Sequence, residues 1–213
     1  MGSSFGKNIR ATTFGESHGP AMGVIIDGVP PQVHLTRDFI QTKLDKRKPG
    51  TSDVVSPRKE SDVVEILSGV VNDYTTGSPI SLLIRNEDAK SSDYDRIKTM
   101  FRPGHADYAV FKKYGLMPQP GGGRSSGRET VARVAAGAVA QAMLITIGVL
   151  FDAYTIQIGS IRSGKVDFDF AKSNALRCAD PKKLTPMMDE IAKVQKAGNS
   201  VGGIVELFIQ NVP

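Results

Sequence analysis

Histidines and arginines set among glycines are the residues of this chain whose types and spacing could do chemistry. In Thr12-Thr13-Phe14-Gly15-Glu16-Ser17-His18-Gly19, a histidine stands before a glycine, with a hydroxyl and a carboxylate beside it. An imidazole titrates near neutral pH, so one held in place can deliver or remove a proton at a reacting centre. The plainer reading of His18 is a structural turn residue. Gly15-x-Ser17-x-Gly19 also has the spacing of a nucleophile elbow, which presents a serine between a strand and a helix. Pro20 and a strand-like run at 22–27 follow instead of a helix, which argues against a Ser17 nucleophile.

A second histidine lies in Phe101-Arg102-Pro103-Gly104-His105-Ala106-Asp107-Tyr108, next to an arginine in a Pro-Gly turn. Two histidines on separate loops can serve as separate proton-transfer groups; the competing reading is that His105 caps a helix beginning near Ala106. His34, between Val33 and Leu35, has no such company and reads as structural. The segment Gly121-Gly122-Gly123-Arg124-Ser125-Ser126-Gly127-Arg128-Glu129-Thr130 offers a glycine-rich turn, two hydroxyls and two guanidinium groups ahead of a helical pattern. Backbone N–H groups in such a turn can approach an anion closely, while the helix dipole and Arg124 add positive potential. It reads as a cradle for phosphate or flavin phosphate, against a flexible loop before an ordinary capped helix. No Gly-Lys-Ser/Thr follows, so it is not a Walker A loop. Lys46-Arg47-Lys48-Pro49-Gly50 ends a helical pattern, where cations complement the dipole without any ligand. The same cations would also suit a substrate with a phosphate and carboxylates, which arginine binds bidentately.

The elements that must position these groups are short. Runs rich in β-branched residues at 22–27, 63–67, 80–84 and 204–209, each bounded by Gly, Pro, Asn or Asp, predict strands. Thr36 caps a predicted helix that runs to Lys48 and stops at Pro49, and Thr185 with Pro186 opens another toward Ala197. The strongest helical signal starts near Arg128 and passes Leu144, with Val131, Val134, Ala135, Ala138, Val139 and Ala142 at helical spacing. Ser126 and Glu129 have the spacing of a capping box at its start. Strands mixed with helices, without repeats or a long linker, predict one domain or part of one.

Composition sets the outer bounds. A chain of 213 residues with 40% hydrophobic content can bury a sizeable core. The net charge of +5 favours an anionic partner without choosing among nucleic acid, membrane surface and phosphorylated metabolite. Few aromatics accompany the basic residues and no groove-reading motif occurs, which ranks a nucleic-acid-binding module far behind a small-molecule enzyme. The run 134–151 approaches a bilayer's thickness, yet it is mostly Ala and Gly with Arg133 and Asp152 beside it, and reads as a buried helix. Cys178 is the only cysteine and no Cys/His cluster has zinc spacing, so neither an intrachain disulfide nor a metal site is expected. The first ten residues lack the apolar run of a signal peptide, and a cytoplasmic location is expected.

Taken in order, these segments resemble chorismate synthases. The resemblance includes 12–19, Asp27-Gly28-Val29-Pro30-Pro31, 45–52, Leu67-Ser68-Gly69-Val70, Thr75-Thr76-Gly77, 102–108, 121–130 and Gly198-Asn199-Ser200-Val201-Gly202-Gly203. Single glycine motifs are weak signals, whereas this ordered series is specific. The resemblance implies an α+β fold, a β-α-β sandwich in which antiparallel sheets enclose helices, with residues 1–213 forming part of a single domain assembled as a homotetramer. It implies a lyase that uses reduced FMN to eliminate phosphate and the C6 hydrogen from 5-enolpyruvylshikimate 3-phosphate, giving chorismate. His18 matches a histidine that protonates the flavin, and His105 one that assists the departing phosphate.

Carried over in the same way, Arg124, Ser125 and Ser126 match the flavin-binding segment, and Arg47 an arginine linked to NADPH and to the anionic substrate site. Arg102 and Arg128 match further contacts to substrate carboxylate or phosphate. Lys46 and Lys48 stand where arginines are usual, and Asp53 where a second NADPH-linked arginine is common, which disfavours NADPH as the reductant. Family members continue beyond the position of Pro213 with more flavin contacts and a catalytic aspartate. A truncated subunit that keeps the fold without turnover is therefore the alternative to an active enzyme.

Overall fold

The computed structural model of the protein describes residues 2–48, 60–87, 100–117 and 119–213. Pro49, Gly50 and Asp53 lie outside the described residues. Two compact units emerge, the first drawn from residues before Ile147 and the second from Ile147–Pro213.

The first unit is built on a five-stranded sheet. Its elements in chain order are β1 (Ser4–Phe5), β2 (Arg10–Gly15), β3 (Ala21–Asp27), α1 (Arg37–Arg47), β4 (Val64–Ser68), β5 (Val70–Val71), β6 (Tyr74–Thr75), β7 (Ile80–Arg85), α2 (Asp107–Tyr114) and α3 (Thr130–Ile145). The strands stand in the order β1-β2-β3-β7-β4, every neighbour antiparallel, and β5 pairs with β6 as a small separate ribbon. Alternation decides the faces: Met22, Val24 and Ile26 of β3 and Ile80, Leu82 and Ile84 of β7 are buried in one cluster. Ile40 and Leu44 of α1 and the small residues Val131, Ala135, Ala138 and Val139 of α3 fill the same cluster, so both helices cover one face of the sheet. On the other face Phe14, Ile25 and Leu67 are exposed.

Local chemistry explains the helix limits. Thr36 Oγ1 accepts from Phe39 N at 3.0 Å and starts α1. The α3 core is Ala-rich, which lets the helix approach α1 and the sheet closely, and its apolar face matches the spacing read from sequence. It begins at Thr130, after two 3-10 turns (Pro120–Ser125 and Gly127–Glu129), so the glycine loop does not abut the α-helix itself. The apolar run read as a single buried helix breaks at Ile145, and its end, from Leu150, is a strand. No helix among the described residues is long and apolar enough to cross a membrane.

The second unit comprises β8 (Leu150–Ile158), β9 (Ile161–Arg162), α4 (Phe168–Ser173), α5 (Pro181–Lys196) and β10 (Gly203–Gln210), with the antiparallel strand order β10-β8-β9. Its core holds Tyr154, Ala171 and Ala179, and Phe168 packs edge-on to Tyr154 at 5.5 Å between ring centroids. The helix expected to open at Thr185 begins a turn earlier. Asp180 accepts from Lys182 N at 3.0 Å and Pro181 takes the first helical position, which leaves Pro186 inside the helix. Both units are α+β with antiparallel sheets, as expected from the sequence.

Candidate active site

Strands β2 and β3 pair from Arg10 opposite Asp27 to Gly15 opposite Met22, so residues 16–20 form the short turn that closes the hairpin. Gly15 has φ +86°, and a Cβ there would stand 2.1 Å from the Ala21 carbonyl oxygen. Only glycine lets the strands meet so closely. Gly19 N donates to Glu16 O at 3.0 Å across the turn. Asn86, the residue after β7, donates its Nδ2 to Glu16 O at 3.0 Å and to Gly19 O at 2.7 Å, and its backbone N to Pro20 O at 3.1 Å. Ser17 is 1% exposed and a strand follows the turn, which removes the nucleophile-elbow geometry.

The His18 ring lies directly on the glycine loop. A Cβ on Gly121 would fall 2.1 Å from His18 Nδ1 and 2.2 Å from its Cε1, well inside contact distance. Next along the loop, a Cβ on Gly122 would stand 3.4 Å from Arg102 Nη2. Arg102 in turn holds Asp107 in a fork, donating Nε to Oδ2 at 2.8 Å and Nη2 to Oδ1 at 2.9 Å, while its backbone N bonds the same carboxylate at 3.1 Å. The hydrogen bonds from Arg102 hold the Asp107 carboxyl below the usual carboxylate range, against the effect of burial. His105, exposed in the same turn, places Nδ1 3.1 Å from Pro103 O, which requires a proton on that nitrogen. It does not cap α2, whose N-cap is Ala106 without a side-chain bond.

Arg124 turns back onto β2. Its Nη1 donates to Gly15 O at 2.9 Å and its Nη2 to Thr13 Oγ1 at 2.6 Å and Glu129 Oε1 at 3.1 Å. Glu129 also accepts from Thr13 Oγ1 at 2.7 Å and Arg133 Nε at 2.6 Å. Burial works against its ionisation, yet the hydrogen bonds from Arg133 and Thr13, with the charges of Arg133 and Arg124, outweigh it and hold its carboxyl below the usual range. Glu129 is therefore spent on this cluster and does not reach back to close a capping box with Ser126. Ser126 does cap, accepting from Arg128 N at 3.3 Å. Ser125 lines a cavity of about 350 Å³ together with Glu16, Gln119, Gly123, Arg124 and Glu129.

Beneath the turn lies a buried ion cluster. Asp62 is fully buried and takes Arg128 Nη1 on Oδ1 and Arg47 Nη2 on Oδ2, the latter at 2.8 Å. Arg128, 5% exposed, also donates Nε to Asn86 Oδ1 at 3.0 Å and sets Nη2 3.5 Å from Glu60 Oε2. Two guanidinium groups and two carboxylates cancel in formal charge, which is what allows them to leave water. Arg47 Nη1 donates to Thr130 Oγ1 at 3.1 Å, while Arg47 Nε is buried with no hydrogen-bond partner among the described residues. Gln41 of α1 fixes the far side by donating to Asp62 O at 3.1 Å and accepting from Val64 N at 3.0 Å.

A model of the family described as "Chorismate synthase" matches residues 9–213. The chain belongs to the chorismate synthase family. It is 49% identical to the chorismate synthase of Desulfatibacillum aliphaticivorans, over the whole of this chain and 59% of that protein. It is 50% identical to that of Methanocella arvoryzae, again over the whole chain and 58% of the relative. A crystal structure of chorismate synthase superposes with a TM-score of 0.77 at 30% identity, covering 97% of this chain and 60% of that one. The chain thus spans about three fifths of the length of the chorismate synthases it matches.

The structure brings His18, Arg102 and Arg124 together on one glycine loop and places His105 in the turn that carries Arg102. Arg47 and Arg128 sit in the ion cluster, where Arg128 meets Asn86, Asp62 and Glu60. Sequence reasoning missed Glu60, Asp62 and Asn86 and gave Thr13 no role beyond its place in the 12–19 segment; for Asn86 the local signal was its position after a predicted strand.

Asp62→Asn leaves two guanidinium groups facing one carboxylate, and is expected to lower unfolding stability by about 3–5 kcal/mol in urea titration. The Arg102–Asp107 pair has its own signature in pH. A carboxyl held below its ordinary value near 4 adds stability above that pH, and loses it as pH falls through the lower folded-state value. The stability of Asp107→Asn is therefore expected to vary less than that of the parent chain between about pH 5 and pH 2; parallel profiles would contradict this.

Proposed function

We propose that this chain carries the histidine, glycine-loop and arginine part of a chorismate synthase active site, which removes phosphate and the C6 hydrogen from 5-enolpyruvylshikimate 3-phosphate. The observation that carries the reading is the seating of His18 on Gly121, which puts a protonatable ring on the loop whose next residues match the family's flavin segment. A 1,4-elimination needs a group to manage a proton and cations to receive the leaving phosphate. His18 and His105 supply the first. Arg47, whose buried Nε has no acceptor among the described residues, and Arg102, beside Gly122, supply the second.

The residues also fit a flavin. The cavity beside the loop combines apolar walls from Val110, Leu116 and Met117 with the Gly122-Gly123-Arg124-Ser125 edge, suited to a flat ring system and a phosphate. Reduced FMN, when bound, supplies a transient electron and helps remove the C6 hydrogen. Arg124 serves such a ligand mainly by fastening the loop to β2, Ser126 by capping the following turn, and Arg128 by holding Asn86 and Asp62. The small-molecule substrate, the homotetramer and the cytoplasmic location complete the reading by family likeness, with NADPH disfavoured as reductant.

The test is anaerobic conversion of 5-enolpyruvylshikimate 3-phosphate by the purified chain, with chemically reduced FMN and without flavin, following chorismate and phosphate together. Flavin-dependent release of both is expected; equal release without flavin would overturn the reading. His18→Ala and His105→Ala are each expected to lower kcat about 100-fold or more, with the dissociation constant of reduced FMN changing much less. Arg124→Ala is expected to show the opposite pattern in fluorescence titration, weakening FMN binding about tenfold as the loop loses its anchor to β2.

A further inference from the structure

Asn86 lies outside every motif that pointed to function, yet its carboxamide touches both the His18 turn and the buried ion cluster. Its two Nδ2 hydrogens reach the carbonyls of Glu16 and Gly19, the residues on either side of Ser17-His18, at 3.0 and 2.7 Å. Its Oδ1 accepts from Arg128 Nε at 3.0 Å. The orientation of the amide follows from its partners. A flipped carboxamide would set NH2 against a guanidinium and oxygen against two carbonyls, losing all three bonds.

We propose that Asn86 is the positioning residue for His18: it clamps the turn by its two carbonyls and so holds the imidazole on Gly121. Three features support this. The turn's own hydrogen bond, Gly19 N to Glu16 O, involves one of the two residues at each end that Asn86 grips, so the side chain and backbone close the same loop. The grip is itself firmly held, because Arg128 is fixed by the buried carboxylates of Asp62 and Glu60 and the Asn86 backbone is bonded to Pro20 O at 3.1 Å. Finally, asparagine is the residue whose short side chain offers two donors and an acceptor at once; aspartate lacks the donors, and serine lacks the number.

The chain of contact therefore runs from Asp62 through Arg128 and Asn86 to the His18 turn. It accounts for an arginine buried so close to a proton-transfer group without requiring that arginine to touch a ligand. The catalytic meaning of the clamp rests on the lyase reading above, but the clamp itself can be read without substrate or flavin.

Nuclear magnetic resonance on this chain provides the test, with Asn86→Ala and Asn86→Asp as variants. In the parent, the His18 ring protons should show strong cross-relaxation with the Gly121 α-protons, and the Gly19 amide should be protected from exchange. In Asn86→Ala that cross-relaxation is expected to vanish and Gly19 exchange to rise about tenfold, relative to the amides of Val24 and Leu82 in the sheet. Asn86→Asp keeps an acceptor for Arg128 while adding a third carboxylate beside the cluster, and should release the turn equally because it lacks both donors, which gives a second reading where the alanine variant fails to fold. Ring contact with Gly121 retained in the folded variants, or Gly19 exchange rising only in step with Val24 and Leu82, would overturn the proposal. Loss of the contact in the variants as expected, with a parent chain that neither binds reduced FMN nor converts substrate, would refute the lyase reading alone.

Discussion

A fully buried carboxylate cannot stay charged without partners, and Asp62 obtains two, Arg47 from the end of α1 and Arg128 from the turn before α3. Arg128 is buried against Asp62 and Glu60, and Arg47 is largely covered where it meets the same Asp62 carboxylate. Because ionised groups of this kind lose far more solvation than a poor contact returns, the pairing fixes geometry more than it adds stability. The end of α1, the segment leading into β4 and the turn leading into α3 must converge where the charges cancel. Asp62 itself adopts φ +50°, a left-handed conformation that aspartate tolerates better than most residues, so the chain accepts some backbone cost to aim the carboxylate.

This constraint changes how the positive charge near the site should be understood. Read as a sequence, the arginines at 47, 102, 124 and 128 form a basic set awaiting an anion. In the folded chain each already faces a carboxylate: Asp62, Asp107, Glu129, and again Asp62 with Glu60. A phosphate arriving here meets polarised, oriented donors whose charge is largely balanced. Preorganised donors of this kind need no rearrangement when charge develops on a leaving group, whereas loose surface cations would. Among the described residues, Arg47 Nε and Arg128 Nη2 are buried without a hydrogen-bond partner, the latter 3.5 Å from Glu60 Oε2.

Much of this frame was legible because it is local. The cap at Thr36, the alternation in the central strands and the small-residue face of α3 depend on neighbours a few residues away, and the sequence pattern recorded them. β2 was not predicted because Thr12 to Gly15 were read only as part of the His18 motif, and β8 because its start continued the apolar run of α3. The start of α5 was misplaced by a turn for a physical reason: Thr185-Pro186 has the cap-before-proline pattern, but Asp180 takes that role in the fold, accepting from Lys182 N at 3.0 Å and from Gly164 N at 2.9 Å. The links among Asn86, the His18 turn and Asp62 were not legible, since they join segments distant in sequence and each residue looks ordinary alone.

The three consecutive glycines show how the same sequence feature can have a different cause from the one it suggests. Their φ values, +69°, +86° and +50°, would strain any side chain, which agrees with a loop shaped to approach a ligand. The space around them gives a sharper account. At Gly121 the missing Cβ is where His18 rests; at Gly122 it would only touch the Arg102 guanidinium, at 3.4 Å; at Gly123 it would meet Gln119 Cβ at 3.2 Å. The first glycine is thus required by an imidazole of the chain itself, and the loop receives that ring before it can receive anything from solvent. An anion bound along the Gly122–Ser125 edge would then lie next to a histidine whose position the protein had already set, so the glycine run serves to place the acid-base group and the cavity on one stretch of backbone.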